Sequence, residues 1–86
     1  MELISENVIP GNHGKIFATN AENKEQLEHI KKLVLEVPGI QHVEIKHETY
    51  PREFIVYTTT LVSIIEIEKA VNRTGLNAIP KTTFVL

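Results

Sequence analysis

Between Asn23 and Lys46 the hydrophobic period changes once, and that change limits the folds open to this chain. Leu27, Ile30, Val34 and Val37 recur at helical spacing with Leu33 beside them, while Glu25, Glu28, Lys32 and Glu36 fall opposite. Asn23 is a favoured N-cap residue, and Gln26 sits three positions on, where a side chain can reach back to the cap backbone. Pro38-Gly39 stops the helix. From Ile40 to Glu48 the pattern alternates, with Val43 and Ile45 on one face and His42, Glu44 and Lys46 on the other. The segment predicts a helix that passes through a tight turn straight into a strand.

The flanking segments extend this unit. Gly14 to Asn20, "GKIFATN", is a short strand; we expect Ile16 and Ala18 to face the helices and Phe17 and Thr19 to face away. A turn around residues 49–52 leads to a second strand, Glu53 to Thr59, closing a hairpin. Ser63 and Glu66 have capping-box spacing with Val62 and Ile67 placed as a hydrophobic staple, so a second helix starts here. Ile64, Ile67 and Val71 form its stripe with Ala70 at the margin, and Gly75 suits the left-handed residue after a helix end. Leu76 onward reads as a last strand, and Pro80 confines it to a sheet edge. The order βαββαβ predicts an α+β, ferredoxin-like sandwich: a four-stranded antiparallel sheet with two helices on one face. Residues 14–86 form this domain. Residues 1–13 are an N-terminal extension whose Leu3, Ile4, Val8 and Ile9 either add a strand to an edge or drape over the domain.

Composition excludes several function classes. Eighty-six residues hold one modest core. The net charge of −2 argues against a nucleic-acid backbone as partner, and the basic-aromatic signature of RNA-binding sheets is absent. No apolar run is long enough for a membrane span and the N-terminus has no signal-peptide pattern, so a cytoplasmic protein is expected. Zero cysteines remove disulfides, thiolate metal sites and thiol catalysis together. "GNHGK" at 11–15 is too short for a phosphate loop and precedes a strand. No Ser-His-acid set or catalytic carboxylate pair stands out, so neither enzyme activity nor a cofactor is expected.

From Lys15 to about Lys81 the chain resembles the heavy-metal-associated domain family, the fold of small copper chaperones. The resemblance rests on "LEHIKKLVLEVPGIQHVEI", on "IEKAVNRTGLNA", and on their separation along the chain. The family holds soft metal ions through a Met-x-Cys-x-x-Cys loop at the start of its first helix. Counting back from Pro38-Gly39, the cysteine positions fall on Asn23 and Gln26 and the methionine position on Ala21. Amide oxygens are poor ligands for Cu(I), which prefers sulfur. The resemblance therefore implies the scaffold without the family's metal site.

Two functional readings follow. In the first, the chain is a non-catalytic domain that has lost its cysteine ligands and serves as a protein-interaction or self-association module. Its partner, or a second copy, would dock on the open sheet face or an edge strand, with Phe17, Ile55 and Tyr57 as anchors, since contiguous exposed apolar area marks contact surfaces; the alternative is that the N-terminal segment or the C-terminal "TFVL" covers this strip. In the second, it carries or senses a metal ion through non-cysteine ligands such as His13, His29, His42, His47, Met1 or a glutamate. A small-molecule regulatory domain using the first loop is a third possibility.

Overall fold

The computed structural model describes residues 7, 8, 14–48 and 51–81. Strand β1 (Asn7–Val8) is followed by β2 (Lys15–Thr19), helix α1 (Lys24–Leu35), β3 (Ile40–Lys46), β4 (Glu53–Thr58), β5 (Val62–Ser63), helix α2 (Ile64–Asn72) and β6 (Ala78–Pro80). Strands β3-β4-β2-β6 form one antiparallel sheet in that order, and β1 pairs with β5 in a separate two-stranded ribbon. This is the ferredoxin-like α+β fold expected from the periodicity.

Each helix is specified locally. In α1, Leu27, Ile30 and Val34 are buried on the stripe the sequence marks. Asn23 caps it in an extended conformation, and its side chain accepts from the Gln26 amide. In α2, Ser63 is the cap and accepts from the Ile65 amide. Ile64, Ile67, Ala70 and Val71 are buried there, so Ala70 lies inside the stripe rather than at its margin. Gly75 follows with φ +87, as its place after the helix end requires. Pro80 lies on the edge strand β6, where its missing N–H costs the sheet least.

One strand is oriented opposite to expectation. Phe17 is fully buried on the helix side of the sheet, with Thr19 also buried, so Ile16 and Ala18 take the outer face. Residues directly opposite across a ladder share a face. Phe17 pairs with Phe54, and their rings stack with centroids 5.2 Å apart and planes 6° from parallel. The segment Lys-Ile-Phe-Ala-Thr is apolar on both faces over its centre, so its alternation alone does not choose between them. Tertiary packing does: the two phenylalanines together fill the middle of the core, joined by Val43 and Val56, under Leu27, Ile30, Val34, Ile67 and Val71. Val43 and Ile45 face the helices as the alternation predicts, Val43 completely buried and Ile45 partly.

Val8 is 1% exposed and belongs to this core, anchored by its pairing opposite Val62. The described part of the N-terminal segment thus adds a ribbon strand at β5 rather than extending the main sheet. Leu3, Ile4 and Ile9 lie outside the described residues, as do residues 82–86 of the anticipated last strand. Among the described residues no helix is long and apolar enough to cross a membrane.

Candidate functional site

The loop between β2 and α1 is where the sequence resemblance places a metal site, and four side chains in and around it, those of Thr19, Asn20, Asn23 and Gln26, accept backbone hydrogen bonds. Thr19 Oγ1 accepts from the Ala21 amide at 3.3 Å. Asn20 Oδ1 accepts from the Asn77 amide at 2.8 Å and so joins this loop to the one before β6. Asn23 Oδ1 accepts from the Gln26 amide at 2.8 Å. Gln26 Oε1 reaches back to the Glu22 amide at 2.6 Å, one residue before the cap. The pair satisfies amides at the helix start that would otherwise lack an intrahelical partner.

This donor set does not fit a soft metal ion. Asn23 and Gln26 contribute amide groups whose oxygens already accept backbone hydrogen bonds, and Ala21 is 5% exposed and has no ligating atom. Among the described residues no group of three or more His, Asp or Glu side chains converges on a point. His29 is exposed on α1 and His42 exposed on β3, while His13 and Met1 lie outside the described residues. Beside the loop is an open groove of about 750 Å³, lined by Ala21, Glu22, Arg52, Asn77 and Ile79 among others. Arg52, one of its lining residues, has a buried Nε atom with no hydrogen-bond partner among the described residues.

The outer face of the sheet is the second candidate, and the strand registers place its residues in rows. His42 lies opposite Tyr57; Glu44, Ile55 and Ile16 lie side by side; Lys46, Glu53, Ala18 and Ile79 follow. Ile79 is 63% exposed, and Ile16, Ile55 and Tyr57 are half-buried. The middle of the face is therefore an aliphatic-aromatic strip on β4 and β2. Part of its cover comes from the backbone of Gly14 (φ +72): a Cβ added there would lie 2.7 Å from Ile55 Cγ2 and 2.9 Å from the Tyr57 ring. The charges around the strip neutralise one another. Lys81 Nζ reaches Glu53 Oε2 at 2.6 Å, and Lys46 Nζ lies 3.2 Å from Glu44 Oε2. Tyr57 donates a long hydrogen bond of 3.5 Å to Glu44, and His42 lies 5.9 Å from the Tyr57 ring.

Of the three residues expected as contact anchors, the structure brings Ile55 and Tyr57 onto the outer face, which no described element crosses, and withdraws Phe17 into the core. Ile16 takes its place. The signal that identifies Ile16 is its pairing with Ile55, which depends on inter-strand register and so is not written in either strand alone.

No family model and no curated protein sequence matches the chain. Among solved structures, the fold is similar to the apo form of the HMA (heavy-metal-associated) domain of a copper chaperone for superoxide dismutase. The superposition has a TM-score of 0.65 at 25% sequence identity and covers 88% of this chain and 78% of that one. The present chain has that architecture and no cysteine.

Proposed function

We propose that this chain is a non-catalytic interaction domain of the cytoplasm that engages a protein partner through the open face of its sheet. Ile55, Tyr57 and Ile16 are the apolar anchors. The observation that carries this reading is the strip they form with Ile79: the two helices cover the other face, and no described element lies across this one. Aromatic and aliphatic side chains flanked by the Lys46–Glu44 and Lys81–Glu53 ion pairs suit a desolvated contact, because those charges already neutralise each other. The first loop supports the same reading from the other side. Its former ligand positions now serve as a helix cap, so the scaffold persists without the group that would bind metal. The similar solved domain belongs to a chaperone named for the enzyme it serves, which agrees with a scaffold whose work is contact with another protein.

The test compares the native chain with Ile55→Lys and Tyr57→Ala as baits in extract of the cells that produce it, with Asn23→Ala as a loop control. A polypeptide retained by the native chain and by Asn23→Ala, and lost from both face variants, is the expected result. Identical capture by all four would remove the face from consideration. In parallel, isothermal titration with Cu(I) and Zn(II) is expected to show no tight binding. Stoichiometric tight binding by the unmodified chain would overturn the reading in favour of a metal carrier.

A further inference from the structure

The two edges of the sheet are built differently. β6 has three residues and ends in Pro80, two devices that discourage another strand from pairing there. β3 has seven residues, and among the described residues no strand pairs with its outer edge. A register irregularity between Ile40 and His42 limits its regular stretch to the part from His42 onward.

Within that stretch, His42–Lys46, opposite charges flank Ile45: Glu44 before it and Lys46 after it. On the outer face it carries His42, Glu44 and Lys46, with Glu48 following in the turn. We infer that β3 pairs antiparallel with β3 of a second copy, centred on Ile45, so that two four-stranded sheets join edge to edge. This rests on the reading that the chain works through protein contacts, and names a second copy of itself as one partner. Centring on Ile45 sets Glu44 against the partner's Lys46 and Lys46 against the partner's Glu44. Opposite charges directly across a ladder are favourable and like charges are not. Moving the centre to Glu44 sets Glu44 against its own copy, and moving it to Lys46 sets Lys46 against its own copy. Moving the register by a single residue would place outer-face residues against helix-face residues. Charge and pleat together select one register. On the helix side, half-buried Ile45 meets its symmetry mate at the two-fold axis, and both α1 helices stay on the same side of the joined sheet.

The contact is small, so the dimer is weak and forms as concentration rises. Sedimentation velocity of the full chain over a wide concentration range is the primary measurement, with the native chain expected to pass from monomer to dimer. Glu44→Lys and Lys46→Glu are each expected to weaken the dimer by about tenfold or more, because symmetry turns two favourable pairs into two repulsive ones. Both side chains are 43% exposed, so each variant should keep its fold, which circular dichroism checks. An equimolar mixture of the two single variants should form a heterodimer, and the double variant carrying both exchanges should recover the homodimer. A native chain that stays monomeric throughout overturns this pairing, and leaves the open-face reading to its own capture experiment. A dimer that survives both single exchanges but is lost in Ile55→Lys also overturns it, and assigns self-association to the sheet face.

Discussion

At the start of α1, where the sequence resemblance leads one to expect metal ligands, Asn23 and Gln26 each hold a backbone amide. Replacing Asn23 by alanine leaves the Gln26 amide without its acceptor. Asn23→Ala is expected to cost about 1 kcal/mol, and Asn23→Ser much less, read from urea denaturation midpoints. The same geometry predicts the outcome of introducing sulfur. Asn23→Cys with Gln26→Cys puts two thiols at a helix start on the loop that the fold presents, and should confer Cu(I) binding, measured by competition with a chromogenic Cu(I) chelator. Ala21 is left unchanged because at 5% exposure it has little room for a methionine. A folded double variant with no gain in Cu(I) affinity would show that this loop does not stand where the family's loop stands. Phe17 and Tyr57 give a second residue-scale contrast. Phe17→Ala opens a cavity beside Phe54 and should cost about 3–5 kcal/mol. Tyr57→Ala on the half-buried outer face should cost clearly less, read in the same denaturation series.

At the scale of elements, the turn from α1 into β3 is the joint that sets the sandwich. Gly39 has φ +94, and its carbonyl accepts from the Thr59 amide at 2.8 Å, tying the turn to the end of β4. A methyl at this position would lie 2.7 Å from Thr60 Oγ1 and 2.8 Å from Val62 Cγ2. Gly39→Ala therefore combines backbone strain of about 1–2 kcal/mol with a collision, while Gly75→Ala at φ +87 meets nothing within 4 Å and carries the strain alone. The first variant should have the lower melting temperature, and equal losses would mean that the turn relaxes freely. The proline-stopped helix and the alternating strand are legible because each follows one period. The faces of β2 are not, because Ile16 and Phe17 are both large and apolar.

For the molecule as a whole, a chain this short has one core, and the N-terminal segment contributes to it. Val8 is 1% exposed opposite Val62, so Val8→Ala should destabilise the entire domain by about 2 kcal/mol, shifting the single unfolding transition rather than releasing a local segment. The open face contributes less to that core, and this separates its two possible roles. Face substitutions that leave the melting temperature nearly unchanged and abolish partner capture assign the strip to binding. Substitutions that lower stability as much as Phe17→Ala would assign it to the fold.

The sequence alone determined the βαββαβ order of the sandwich, though not the β1–β5 ribbon, together with both helix stripes and both caps, the edge position of Pro80, and the absence of sulfur from the first loop. These depend on local periodicity, on backbone chemistry or on the presence of an atom type. Only the tertiary structure decided that Phe17 lies inside and Ile16 outside, that Val8 joins the core through β5, and that Gln26 reaches Glu22 rather than the cap residue itself. Each of these turns on which neighbour a group meets across space. A strand apolar on both sides is assigned its faces by the side chains it packs with, and Phe17 packs with Phe54.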